Sequence, residues 1–234
     1  ITTGLCYIFP KIDGTNSSVW IRDNKIYTGS RNRELSLDKD NAGFLEYINQ
    51  KENIHKFFKE HSELRLYGEW LVPHSLKTYR DDAWNKFYVF DVTYEKDGII
   101  HYLPYDKYQP YLEQYHLDYI PPITIIKNPT YEQLYYLLDK NDFLIEDGKG
   151  AGEGIVIKNY NYINKYNRIT WAKIVRSECK EVHTKTMGAP RIDNNLTEDK
   201  IVNKYVTTAF IEKTYANIVE RHGDWTSKYI PELL

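Results

Sequence analysis

The apolar residues of this 234-residue chain fall into short runs, and a turn signal ends each run before it could build a long element. Residues 5–9 read as a buried strand. Residues 17–21, the polar pair Asp23-Asn24 and residues 25–28 read as a tight hairpin, which leaves Lys11 to Asn16 as a loop between strands. Over residues 41–61 the positions Phe44, Leu45, Ile48, Ile54, Phe57 and Phe58 recur at helical spacing, and residues 64–72 turn strand-like. A strand over 87–94 folds back through Asp97-Gly98 into 99–103. Helical patterns over 108–115 and 130–138 flank Pro121-Pro122 and an extended 123–126, and a glycine-rich stretch, 148–154, feeds the apolar run 155–157. Thr197 can cap a last helix whose apolar residues keep helical spacing to Gly223. The alternation predicts an α+β fold, divided near residues 188–195 into a main domain, 1–188, and a helical appendage, 189–234. That appendage is either a small addition or the start of a further module.

Composition narrows the class. The longest apolar runs are far too short to cross a bilayer, and no charged-then-apolar leader precedes the first motif, so the expectation is a soluble, cytoplasmic protein with no membrane partner. The two cysteines, Cys6 and Cys179, lack the spacing of a zinc site or a disulfide framework and read as buried, reduced thiols. His101, His116 and the other histidines also lack metal-ligand spacing. A net charge of −2 argues against coating nucleic acid by bulk electrostatics while leaving room for a local basic groove. The 22 tyrosines could stack on bases, though each one alone reads first as a packing residue with a polar end.

The residues that carry chemistry begin with Lys11-Ile12-Asp13-Gly14-Thr15-Asn16, a lysine and an acid two apart closed by a turn-permitting glycine. A lysine amine attacks only when deprotonated, which nearby cations, a bound metal or partial burial favour. Lys173, Lys158 and Arg31 could supply such cations. Attack on a phosphate builds charge on oxygens that need fixed cations, and a departing pyrophosphate needs a divalent metal. Asp13 and Glu153 are the acids expected to hold that metal, directly or through water, and Mg²⁺ (or Mn²⁺) suits oxygen ligands.

The run K-I-D-G-T-N resembles the nucleophile motif of ATP-dependent RNA ligases, DNA ligases and mRNA-capping enzymes, and its trailing T-N resembles the RNA ligases most, in particular their RNA ligase 2-like branch. Further motifs follow in the family's order. Leu66-Tyr67-Gly68-Glu69-Trp70 is similar to its glycine-glutamate strand, and Phe87-Tyr88-Val89-Phe90-Asp91 to its aromatic-acid strand. Glu153-Gly154-Ile155-Val156-Ile157-Lys158 and Trp171-Ala172-Lys173-Ile174 are similar to its fourth and fifth motifs, and the resemblance spans roughly residues 5–178.

The resemblance implies an ATP-grasp-like ligase adenylation domain whose antiparallel sheets line a nucleotide cleft. It implies ATP as the nucleotide, a lysyl-AMP bond on Lys11, Phe90 stacked on adenine, Glu69 on the ribose, and Lys173 on the α-phosphate. Arg31, Asp91 and Lys158 would lie beside the nucleotide, and Asn16 would orient phosphate oxygens. The partner would be RNA with 5′-phosphate and 3′-hydroxyl ends, sealed through an adenylated RNA intermediate. Two departures stand out: Pro10 occupies a position where many RNA ligases have glutamate, and Val175 stands where a second lysine is usual, with Arg176 as its possible replacement. DNA ligase, capping guanylyltransferase, and a degenerate transferase fold that only binds nucleic acid remain as alternatives.

Overall fold

The computed structural model describes residues 1–73 and 76–176, together with residues 215, 218, 219 and 223. By its contacts the chain divides into two units, Ile1–Thr186 and Met187–Leu234, and the strands and helices named below belong to the first. The expected boundary near 188–195, Cys179, and all but a few residues of the expected final helix lie outside the described residues.

Two antiparallel sheets form the frame. β1 (Leu5–Lys11), β7 (Thr124–Lys127), β8 (Gly154–Lys158) and β9 (Ala172–Val175) make a first sheet in the order β7-β1-β8-β9. β2 (Thr15–Arg22), β3 (Lys25–Ser30), β4 (Leu64–Leu71), β5 (Lys86–Lys96) and β6 (Ile99–Tyr102) make a second in the order β3-β2-β4-β5-β6. Both hairpin turns read from the sequence are present. Asp23 and Asn24 have φ of 51° and 58°, and Asp97 and Gly98 of 55° and 72°. Two consecutive left-handed residues give the turn whose twist matches that of the flanking strands.

The structure alters three details of that reading. Lys11 closes β1 by pairing with Gly154, and Thr15 and Asn16 open β2 by pairing with Trp70 and Glu69, so the expected loop shrinks to residues 12–14. The helical stretch 41–61 is two helices, α1 (Phe44–Gln50) and α2 (Glu52–Glu60). Lys51 separates them in an extended conformation; its N–H closes α1 on the Ile48 carbonyl while its own carbonyl accepts the first bonds of α2. Pro10 sits inside a strand with neighbours on both sides, yet β7 reaches only Leu5 to Ile8, so the missing N–H of Pro10 interrupts no ladder.

The layers follow from side-chain alternation. One face of the second sheet, with Val19, Leu66, Val89 and Val92, packs on α1, α2 and α3 (Tyr105–Gln114). One face of the first sheet, with Cys6, Ile8, Ile155 and Ile157, packs on α4 (Tyr131–Leu138), whose start is fixed by a capping box between Thr130 and Gln133. The two remaining faces meet through Phe9, Ile12, Leu71, Tyr88 and half-buried Phe90, Tyr7 and Val156. Full burial of each such side chain is worth about 1.5–3 kcal/mol. Among the described residues no helix is long and apolar enough to cross a membrane.

Candidate active site

The pairing of β1 with β8 brings the two ends of the sequence motif set together. Lys11 lies opposite Gly154, and its Nζ makes a close ion pair with Glu153 Oε2. Gly154 cannot carry a side chain, because a Cβ there would collide with the Ile174 carbonyl oxygen of β9. Asn141 fixes the same junction from a loop. Its buried amide Nδ2 donates to the Gly154 carbonyl at 2.6 Å and to the Lys11 carbonyl at 3.3 Å. Nothing in the local sequence around Asn141 signals this role, since its partners stand 13 and 130 residues away.

The loop after Lys11 is held against β4. The Gly14 N–H donates to Glu69 Oε1 at 3.1 Å, and a Cβ on Gly14 would lie 2.6 Å from the Trp70 carbonyl oxygen. The Asp13 N–H donates to the Tyr79 hydroxyl at 2.7 Å, and the Asp13 carboxylate accepts the Leu76 N–H. Tyr79 is buried, which pushes its phenol well above the usual range, and it too escaped the sequence reading. Burial pushes the Glu69 carboxyl up to about 7; Lys11 and the Gly14 N–H oppose the shift, and Glu153 and Asp13 add to it. Lys11, Asp13, Glu69 and Glu153 therefore share one electrostatic neighbourhood. Asn16 stands opposite Glu69 in the strand register, and Arg31 follows the end of β3 as an exposed side chain.

Phe90 owes its position to a bulge. Tyr67 pairs with Asp91 and Gly68 with Val89, so Phe90 is the unpaired extra residue, and Tyr88 and Asp91 come to face the same side. Asp91 and Lys158 behave as a linked pair across the two sheets. Lys158 Nζ lies 2.8 Å from Asp91 Oδ1 and also donates to the Phe90 carbonyl. Trp171 Nε1 donates to Asp91 Oδ2 at 3.0 Å. Lys158 is only 2% exposed, with its ammonium 4.6 Å from the Phe9 ring centre and 5.5 and 5.6 Å from those of Trp171 and Phe90. Burial pulls its pKa down and Asp91 pulls it back up. The structure thus places Lys158 beneath the rings as a tie between β5 and β8.

Lys173 is exposed on β9, opposite Val156 and in the row of Phe9, on the face that turns toward the second sheet. Val175 occupies the next such row, with Gly154 and Lys11. Arg176, the candidate replacement for a second lysine, bonds Asp139 at 2.7 Å just after α4. A cavity of about 120 Å³ lined by Tyr47, Lys51, Leu66 and Phe87 lies on the helix-packed side of the second sheet, away from all these groups.

Among the described residues no three His, Cys, Asp or Glu side chains form a ready-made metal cage. Mg²⁺ and Mn²⁺ need less, since Mg²⁺ typically binds through one or two carboxylates and completes its shell with water and phosphate oxygens. Glu153 fits that requirement, and the carboxylate of Asp13, engaged by backbone and 7% exposed, fits it through water.

Residues 6–175 match the family described as RNA ligase. No curated protein sequence matches the chain. Among solved structures, a Naegleria gruberi RNA ligase mutant with ATP and Mn superposes with a TM-score of 0.58 at 19% identity, over 78% of this chain and 53% of that one. The same ligase with PPi gives 0.56 at 20% identity over 79% and 53%, and an apo mutant 0.60 at 19% over 79% and 52%. At these identities the likeness is one of fold, and the chain spans about half the length of the solved structures it matches.

Proposed function

The chain belongs to the RNA ligase family, and from that premise we propose that it is an ATP-dependent RNA ligase that seals 5′-phosphate and 3′-hydroxyl RNA ends. The observation that carries the proposal is the Lys11–Glu153 pair at the β1–β8 junction, inside the segment that matches the family. Lys11 attacks the α-phosphorus of ATP, forming lysyl-AMP and expelling pyrophosphate. The AMP passes to an RNA 5′-phosphate, and an RNA 3′-hydroxyl then displaces it. Each step needs an in-line approach, which a nucleophile anchored at a strand end supports.

An ammonium cannot attack, so Lys11 first gives up its proton to water, and Glu153, in contact with its Nζ, holds the amine in place at the strand end. Phe90, aimed by its bulge, offers a ring to the adenine. Lys173 faces the cleft as the cation for the α-phosphate, and Asn16 and Glu69, opposite one another, offer polar groups to ribose and phosphate. Arg31 stands beside them as an exposed cation. Mg²⁺ or Mn²⁺, held by Glu153 and Asp13 directly or through water, would neutralise charge on the pyrophosphate. The form of the Naegleria gruberi ligase with ATP and Mn supports this nucleotide and metal. We take residues 1–188 as the adenylyltransferase unit, 189–234 as a helical appendage, and the cytoplasm as the compartment.

Incubation of the full chain with α-labelled ATP or GTP and Mg²⁺, followed by denaturing electrophoresis, tests the proposal. The expected result is a label from ATP that Lys11→Ala abolishes. Label from GTP alone would indicate a capping-type enzyme. Absence of label from either nucleotide, in protein first stripped of bound AMP, would overturn the proposal in favour of a fold that only binds nucleic acid.

A further inference from the structure

The second sheet continues outward from Asn16 and Glu69 as a ladder of rings and guanidinium groups that the chemistry above does not use. Along β2 and β4 the next row sets Ser18 opposite Tyr67, and the row after it sets Trp20 between Tyr27 of β3 and Arg65 of β4. The Trp20 and Tyr27 rings stack with centres 6.0 Å apart and planes 19° from parallel. The Arg65 guanidinium lies 4.0 Å from the Trp20 ring centre and 4.9 Å from that of Tyr67, and Arg22 lies 4.0 Å from that of Tyr27. The opposite face, with Val19 and Leu66, is the one that packs on the helices.

The rings of this ladder are half-buried and Arg22 is exposed, so their positions are fixed while their outer surfaces stay open. Arg65 is further anchored by a 3.0 Å bond to the Ser18 hydroxyl. Beside Arg22 stand Glu34, 3.5 Å away, and Asp23 in the turn, which Lys25 and Arg65 outweigh together with Arg22, while Asp91, opposite Tyr67, is paired with Lys158. Rings held flat on a sheet accept any base by stacking, and interleaved guanidinium groups meet the phosphates between bases. Cations spaced among rings match the alternation of phosphates and bases along a polynucleotide. The ladder also leads, row by row, to Asn16 beside the nucleophile.

We propose that this ladder seats the unpaired RNA segment adjoining the end that is joined at Lys11. The proposal deepens the ligase reading and rests on it for the identity of the chemistry at Lys11. The seat is read by π-faces and phosphates alone, so it has no sequence preference, and it favours single strands over blunt duplex, whose bases are not available to stack.

Fluorescence anisotropy of a labelled single-stranded 5′-phosphorylated oligoribonucleotide, titrated with the full chain without ATP, tests it. Trp20→Ala is expected to weaken binding about tenfold, in line with the stacking of one base, and Trp20→Phe to stay within about twofold of the parent. Arg22→Ala is expected to weaken binding and to flatten the log–log salt dependence by about 0.7. In all three variants ATP labelling of Lys11 should stay at the parent level, while the KM for RNA rises with Kd. RNA binding unchanged in Trp20→Ala and Arg22→Ala, or blunt duplex bound more tightly than the single strand, would overturn the proposal. Loss of RNA binding in these variants beside a parent that never takes label would uphold the seat and overturn the ligase reading alone.

Discussion

Replacing Lys158 by methionine isolates the tie between the sheets. The change keeps most of the side-chain volume and leaves Asp91, about 5% exposed, with the Trp171 Nε1–H as its remaining side-chain donor. Removing one partner of a buried ion pair costs about 3–5 kcal/mol, because the charge left behind has lost both water and its counter-charge. The three rings around the ammonium forfeit their cation–π attraction, while methionine sulfur recovers part of it by contact with the same rings. Against a typical total stability of about 5–15 kcal/mol, the single variant loses a large share of its folding free energy.

The double variant Lys158→Met with Asp91→Asn removes both charges and should regain most of that loss, since the introduced carboxamide is neutral and its oxygen could still accept from Trp171. Urea denaturation of the full chain measures both variants, with the slope checked for constancy so that the midpoints compare directly. The same variants should bind ATP more weakly, because Lys158 pins the Phe90 carbonyl at the bulge. A loss below about 1 kcal/mol in the single variant, or a double variant no more stable than the single, would refute the argument that the two charges depend on each other.

Glu69 gives a pH signature. Its folded pKa, about 7, lies above the usual carboxylate value of 4.5, so the folded state holds a proton that the unfolded state releases. Stability from this group is full below about pH 4.5 and is lost as pH rises to 7. At about 1.4 kcal/mol per pH unit this is about 3 kcal/mol for a sealed group, and about 2 kcal/mol with the screening of a partly open one. Urea midpoints of Glu69→Gln and the parent at pH 5 and pH 8 should differ by that amount in their pH dependence, and parallel profiles would remove Glu69 as the source. Asn141→Ala should leave the Lys11 and Gly154 carbonyls short of a donor, costing about 1–3 kcal/mol and slowing the labelling of Lys11. Stability and single-turnover labelling measured together check it, and a parental labelling rate in a destabilised variant would show that Asn141 serves the fold alone.

The sequence was most readable where the physics is local. Asp23-Asn24 and Asp97-Gly98 are turn pairs whose geometry depends on their own backbone, and both turned out as read. The lysine and the glycine of its loop stood together in one short motif, whereas Glu69 and Glu153 were singled out through the order of motifs that the family resemblance supplies. Tyr79 and Asn141 were not visible, since each lies in irregular backbone and acts on a residue far away in sequence. The fate of Lys158 was hidden for a related reason. β8 is buried on both faces at nearly every position, so its pattern has no alternation to say which way a terminal lysine turns. The bulge at Phe90 adds one residue to one strand, a register event decided by the partner strand rather than by the local sequence.

The charge balance around Lys11 explains why the departures at Val175 and Arg176 matter. Glu153, Glu69 and Asp13 gather about a single ammonium, and a triphosphate brought there adds more negative charge. Lys158 is paired with Asp91, and Arg176 with Asp139. Val175 puts an apolar side chain in the row of Lys11, where the family resemblance would put a further cation. Lys173 is then the cation on the inner face of β9, with Arg31 exposed after β3, and under the proposed function a divalent metal arriving with the nucleotide would add to them. On the proposed function, the metal would be part of substrate binding as much as of catalysis. The Glu69 carboxyl, pushed up by burial, lessens the negative charge that such a metal would have to offset.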